Sequence, residues 1–332
     1  MPWKGEKDPY RIWLSEIILQ QTRVEQGWKY YESFVRGFPD IHSLAAASDE
    51  KVFKLWEGLG YYSRCRNLIH TARQISVRYQ GKFPDNYEDI LRLKGVGPYT
   101  AAAISSFAFG LPYAVVDGNV TRILARIFGM EETPQSSSGK KKFESLASML
   151  LDKENPSAFN QAIMDFGATV CKPALPLCNT CIFKKECIAF NTGRVAELPV
   201  KAKKAPTRER WFYFLVYRHR NRIAIRQRSA GDIWQNLYEF AHLESPARIP
   251  LKQVNSRLAK ENFLAAGITT LSSSNLKQQL THQRIHGTFL LAKVKDPGTI
   301  PAGLSWVSRT QLRMLPFPRM IRQYIEETDP LA

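Results

Sequence analysis

Four of the chain's five cysteines, Cys171, Cys178, Cys181 and Cys187, are separated by gaps of six, two and five residues. That crowding constrains the fold more than any other feature, because the surrounding chain must close a loop that brings four sulfurs to one centre. Four thiolates from one compact loop meet the requirement of a structural zinc or of an iron–sulfur cluster. Spacing alone does not choose between them. Zinc sites usually present two close pairs, and only Cys178/Cys181 is such a pair here, which inclines the reading toward the cluster. No signal-like start precedes the first charges, so a disulfide scaffold is the poorer account. Cys65 stands apart and reads as core filler.

At 332 residues the chain is too long for one ordinary core, so two domains are expected. A hydrophobic fraction of 44% excludes a disordered chain. No apolar run approaches the roughly 18–20 residues needed to span a bilayer. A soluble, cytoplasmic, monomeric protein with no membrane contact is expected. Lys plus Arg number 47 against 30 acids, a net charge of +17, which makes a polyanion the expected partner. The excess is uneven: residues 1–190 carry +4 and residues 191–332 carry +13. A solvated surface is the plainer reading of that excess, and a polyanion-binding second domain the more specific one.

Residues 1–190 read as mostly helical, with apolar positions every three or four residues in Ile12–Leu19, Val52–Leu59, Leu68–Val77, Tyr99–Phe109 and Phe143–Leu151. Breakers such as Gly37-Phe38-Pro39-Asp40 separate them. A basic, proline-bounded stretch without periodicity, Leu198 to Pro206, reads as part of a linker over residues 191–208. Beyond it, Trp211–Tyr217 and Ile223–Ile225 around a turn at Arg220-Asn221, and later Phe289–Val294, have strand composition. A smaller α+β domain over residues 209–332 is expected.

Two local patterns bear on chemistry. Lys94-Gly95-Val96-Gly97-Pro98 turns sharply between two helical stretches, with Tyr99 opening the second. Glycines one residue apart permit close backbone approach, and exposed amides at a helix start suit a phosphate. Alone this is equally an ordinary helix–helix turn; beside a four-cysteine loop in a basic chain, a DNA-phosphate clamp is the better reading. The second pattern is Glu16, lodged in the apolar run Trp13 to Leu19. Glu16, Gln20 and Arg23 would share one helical face, so a salt bridge to Arg23 or Arg11 is the plain reading. A carboxyl held among Ile and Leu would instead have a raised pKa and could act as a general acid. Asp117, before Gly118 and Asn119, is first a helix-cap signature and could also supply a second carboxylate.

Together these features resemble the helix-hairpin-helix DNA glycosylases that carry a four-cysteine iron–sulfur loop, and among them the adenine DNA glycosylases of the MutY family. The residues that carry the resemblance are Ser15 to Thr22, Gly58 to Arg64, Gly95 to Tyr99, Val116 to Val120, Phe159 to Gly167 and the cysteine loop. In the second domain it is weaker, at Arg226 to Arg228, Trp234 to Phe240 and Leu280-Thr281-His282. The resemblance implies a mostly α helix-hairpin-helix domain with a [4Fe-4S] loop, plus a Nudix-like C-terminal domain. It implies base excision repair on double-stranded DNA, with adenine removed opposite 8-oxoguanine or guanine. Glu16 is then the acid and Asp117 the stabilising anion, with Tyr99 and Asn119 hydrogen-bonding the pair. Trp3, Lys4 and Gln161 line the adenine side and Gln20 also binds substrate; Gln21, Thr22, Leu59 and Tyr61 fill the gap and touch the opposite strand, Tyr61 as a wedge. Lys94, Gly95, Val96 and Gly97 meet DNA phosphate.

Relatives that also nick DNA keep a lysine two places after the second hairpin glycine, as the amine for a Schiff base. Here that place is Tyr99, which implies a monofunctional enzyme. Thr281 and His282 stand where the family has a Ser-His pair that reads the lesion, with Leu280 replacing the usual Phe. After Phe240 only Glu244 and, far on, Glu261 are available for a Mg²⁺ cluster, so Nudix hydrolysis is not expected. Lys4 replaces an Arg, with fewer donors. The family's helix ahead of this segment is missing from the sequence as written, through a start placed downstream of the true one or a shortened version.

Overall fold

The structure, a computed structural model, describes residues 5–202, 206–261, 263 and 268–331. The chain divides into two compact units, Met1–Ala47 with Arg66–Lys204, and Ser48–Cys65 with Ala205–Ala332.

The first unit is helical. Helix α1 (Pro9–Leu19) starts at Asp8, whose side chain accepts from the Tyr10 amide, with proline at the first position. It stops at Leu19, and Gln21 turns the chain at φ +56°. Arg23 therefore sits ahead of α2 (Val24–Gly37) and not on the face of Glu16. Helices α3 (Ile41–Ala46), α5 (Tyr62–Arg78), α6 (Tyr87–Leu91), α7 (Pro98–Phe109), α8 (Gly118–Ile127), α9 (Ser137–Leu150), α10 (Pro156–Thr169) and α11 (Ile188–Asn191) follow, with α4 (Asp49–Trp56) in the second unit. Helix α7 is buried on every side from Thr100 to Ser106, as expected of a helix with almost no polar face. Trp13, Leu14, Ile17 and Ile18 of α1 are buried in the same core.

The helical unit runs past the expected boundary at residue 190. Leu198 is buried with Val120, Leu124 and Phe143, and its carbonyl accepts from Arg126 Nε at 3.1 Å. The first part of the expected linker is thus packed.

The second unit carries, among the described residues, a seven-stranded sheet. Strands β1 (Arg208–His219), β2 (Arg222–Gln227), β3 (Tyr238–Glu239), β5 (Ile268–Gln279) and β6 (Gln283–Val294) run in the order β3-β2-β1-β6-β5. Strand β4 (Ala241–Ser245) pairs with β1, and β7 (Ser305–Ser308) with β2. Strands β1 and β6 are parallel, from Arg208 opposite Gln283 to Arg218 opposite Lys293. Helices α12 (Leu251–Lys260), α13 (Arg309–Met314) and α14 (Arg319–Thr328) complete it. Segment 48–65 joins this unit through Glu57, which accepts from Arg322 Nε and the Phe317 amide, both at 2.9 Å. The helix expected to reach Leu59 ends at Trp56, because Gly58, Gly60 and Tyr61 all take positive φ. No described helix is long and apolar enough to cross a membrane.

Candidate active site

A cavity of about 1240 Å³ opens in the first unit where α1, α7, α8 and α10 converge. Glu16, Gln20, Gln21, Thr22, Tyr99, Asp117, Asn119 and Gln161 all line it. Glu16, Tyr99, Asn119 and Gln161 sit on helices α1, α7, α8 and α10 and Asp117 caps α8, whereas Gln20, Gln21 and Thr22 form the turn that follows α1. Gln20 Nε2 donates to Thr100 Oγ1 at 3.2 Å, and Gln161 Nε2 to Asp165 Oδ1 at 3.1 Å.

Glu16 makes no ion pair with Arg11, which bridges Glu6 and Asp8 instead. Its carboxyl faces the cavity but lies deep in the protein. Burial is the largest influence and raises its pKa; the Tyr99 hydroxyl donates to it and offsets part of the rise, and the nearby Asp117 adds to it, leaving the value at about 7. Burial also pushes the Tyr99 phenol well above its ordinary range, so it stays a donor. Asp117 caps α8, its Oδ1 accepting from the Val120 amide and its Oδ2 from Asn119 Nδ2, both at 2.7 Å. Burial raises its pKa too, opposed by these donors and by the charge of Arg122. The two carboxyls thus face one space with unequal donor sets, one neighbour for Glu16 and several for Asp117. Such an inequality can hold two neighbouring carboxyls in different protonation states.

Two arginines that sequence reasoning passed over hold this corner. Arg122 Nη2 donates to Asn119 Oδ1 at 2.9 Å and to the Gly167 carbonyl at 2.8 Å, while its Nε reaches the Cys171 carbonyl at 2.7 Å. Arg126 donates to the carbonyls of Lys172, at 2.8 Å, and Pro173, at 3.2 Å, and to Cys171 Sγ at 3.4 Å. In sequence both look like the solvated face of a helix; only the packing reveals them. Gly167 lets α10 approach: a Cβ there would lie 2.6 Å from Asn119 Cβ and 3.2 Å from its carbonyl carbon. Gly167→Ala is expected to cost about 1–3 kcal/mol in urea unfolding and to weaken the Asn119–Asp117 bond; unchanged stability would contradict the close fit.

The glycine hairpin joins α6 to α7. Gly95 has φ +79°, and a Cβ there would strike Asn67 at 2.6 Å. Lys94 and Gly95 are exposed, Gly97 is half-buried and Val96 is buried. Leu59 and Tyr61 belong to the second unit; Leu59 is buried, whereas Tyr61 is exposed and its hydroxyl meets that of Thr281. Thr281 and His282 are exposed in the short turn between β5 and β6. Trp3 and Lys4 lie outside the described residues.

The four cysteines are half-buried. Burial and then the other three thiols push the Cys178 thiol up, so all four lie within electrostatic reach. Among the described residues no three His, Cys, Asp or Glu side chains close on one point as a single ion would need. Cys65 is buried in the core, as its isolation in sequence implies.

These features define a class. Residues 14–149 match the family described as HhH-GPD superfamily base excision DNA repair protein, and residues 212–327 match the NUDIX domain. The first unit resembles a thermostable thymine-DNA glycosylase (TM-score 0.54, 32% identity, 58% of this chain and 88% of that one). It shares its fold with an endonuclease III solved in a non-covalent DNA complex (TM-score 0.51, 22% identity, 57% and 86% covered).

Within that class the chain belongs to the adenine DNA glycosylases, enzymes of base excision repair. It is 36% identical over 245 residues to the adenine DNA glycosylase of Buchnera aphidicola subsp. Schizaphis graminum, covering 74% of this chain and 71% of that one. It is 33% identical over 298 residues to that of Buchnera aphidicola subsp. Baizongia pistaciae, covering 88% and 80%. The Homo sapiens enzyme is 41% identical over 198 residues, 57% of this chain and 36% of that one.

Proposed function

We propose that the protein removes adenine mispaired with 8-oxoguanine, or with guanine, from double-stranded DNA and leaves the backbone intact. The observation that carries this reading is the pair Glu16 and Asp117 in one cavity, with Glu16 at about 7. Flipping adenine out of the stack costs a few kcal/mol, which the cavity contacts must offset. Neutral Glu16 then gives its proton to adenine N7. The C1′–N9 bond breaks with its electron pair leaving on the base, and the sugar becomes an oxocarbenium ion. Ionised Asp117 stabilises that cation across the cavity. Glu16, now a carboxylate, takes a proton from the water that adds to C1′ and is restored as the acid. Tyr99 and Asn119 hold the two carboxyls in these different states. Tyr99 offers no amine at the hairpin, which supports hydrolysis without strand cleavage.

For the second unit the reading is lesion recognition by Thr281 and His282, with Tyr61 as the wedge. On either side of Phe240, Glu239 is held by Arg226 at 3.0 Å and Glu244 by Arg210 at 2.6 Å, which argues against Mg²⁺ chemistry there. Cys171, Cys178, Cys181 and Cys187 suit a [4Fe-4S] cluster: four thiols of one loop, with the Arg126 guanidinium donating to one sulfur. When bound, the cluster would supply four iron–thiolate bonds that close the loop.

Single-turnover assays on A:8-oxoguanine and A:G duplexes test the function. Free adenine with strands that break only after alkali is the expected result; direct strand cleavage, or no base release, would overturn it. A pH series tests the proton assignment. The rate should fall as pH rises above about 7, where Glu16 loses its proton, and fall again in acid as Asp117 gains one. A rate still climbing at pH 8.5 would exclude Glu16 as the acid.

A further inference from the structure

The second unit contains an ionic cluster around one buried arginine for which the mechanism has no use. Arg210, near the start of β1, has a side chain only 5% exposed. A guanidinium has five N–H donors, and Arg210 uses every one. Nε and Nη2 donate to Glu244 at 2.6 and 2.7 Å, and Nη1 and Nη2 to Asp232 at 2.8 and 2.6 Å. The fifth goes to Gln283 Oε1 at 3.1 Å. Arg228 shares Asp232 at 2.6 Å and binds Glu239 at 2.6 Å, so Asp232 is itself held from a second side.

Gln283 is the first residue of β6 and directly follows Thr281 and His282. Its carbonyl accepts from the Leu280 amide at 2.8 Å and from Gln279 Nε2 at 3.3 Å. The Arg208 amide, two residues before Arg210, donates to the His282 carbonyl at 3.0 Å. The exposed turn has one side-chain partner outside itself in these contacts, the Tyr61 hydroxyl that meets that of Thr281. Otherwise it is held through its two ends, and the Gln283 end is tied to the only fully saturated guanidinium among these contacts.

We infer that Arg210 and Gln283 are positioning residues for lesion discrimination, fixing the Thr281–His282 turn in the geometry that separates 8-oxoguanine from guanine opposite adenine. The inference rests on the reading of that turn as the lesion-contacting element. The opposing view is that the cluster only stabilises the sheet. Gln283 separates the two, because removing its acceptor leaves Arg210 with both carboxylates and four of its bonds.

The test uses the full chain and single-turnover base release on A:8-oxoguanine and A:G duplexes, read as the ratio of the two rates. Gln283→Met should lower the ratio about three- to tenfold with the A:G rate unchanged, and Tm should fall only slightly, as the loss of one hydrogen bond implies. Gln283→Glu, which keeps an acceptor oxygen for Arg210, should restore the ratio. Thr281→Ala and His282→Ala serve as controls on the underlying reading. If they lower the ratio while Gln283→Met does not, the positioning role is wrong and the turn's role stands. A Gln283→Glu variant as poor as Gln283→Met also overturns it. If none of the variants moves the ratio, both readings fall together.

Discussion

Glu16→Gln is expected to slow adenine release by about 10²–10⁴-fold, the usual contribution of a positioned general acid, while mismatch binding survives. Glutamine keeps the shape and an oxygen to accept from the Tyr99 hydroxyl, so the cavity should not rearrange. What it lacks is the proton. The same substitution carries a signature that a steric effect would not. Because the folded pKa of Glu16 lies above its ordinary value, the folded state binds the extra proton, and wild-type stability falls as pH rises from 4.5 to about 7. At 1.36 kcal/mol per pH unit that interval amounts to about 3 kcal/mol. Glu16→Gln should therefore be more stable than wild type at pH 8 and little different at pH 4.5, by denaturant unfolding at both. A variant inactive yet equally pH-sensitive in stability would mean that the carboxyl is not buried as an acid. A variant that still turns over would refute its role outright.

Asp117→Asn should lower single-turnover release by about 10²–10³-fold, the cost of losing one preorganised charge at the developing cation. Here the fold gives an unusually clean comparison. Asp117 caps α8, and asparagine is as good a cap as aspartate, so the Val120 amide keeps a partner. One side-chain bond is lost, since the new amide nitrogen cannot accept from Asn119, and stability should drop by about 1 kcal/mol. A drop of that size cannot explain a hundredfold rate loss in a chain that remains folded. Retention of more than about a tenth of the wild-type rate would place the stabilising charge elsewhere.

The helices were readable where apolar spacing is regular, as in α1 and α7, and the hairpin was readable because two glycines and a proline leave few other conformations. The strands around Arg220-Asn221 stood out by composition, and that turn indeed places Arg220 at φ +50°. What the sequence concealed depends on contacts between distant segments. Arg122 and Arg126 resemble any basic residue on an amphipathic helix until the cysteine loop folds over them and offers carbonyls. Segment 48–65 gives no sign that its Glu57 pairs with Arg322, more than 260 residues on. Leu198 lies in a lysine- and proline-rich stretch and looks like linker until it is seen in the core beside Phe143. Glu16 was legible as an anomaly, but helical spacing alone suggested Arg23 or Arg11 as its partner; a turn at Gln21 removes Arg23, and α7 brings in Tyr99, which only the family resemblance had offered.

The central claim is that one carboxyl in this cavity stays protonated near neutrality while its neighbour does not. The most direct measurement is an NMR titration of carbon-13-labelled glutamate carboxyls in wild type and Glu16→Gln. A single resonance moving with a midpoint near 7, and absent from the variant, is the predicted result. A wild-type spectrum in which every glutamate has finished titrating below pH 5.5 would contradict it.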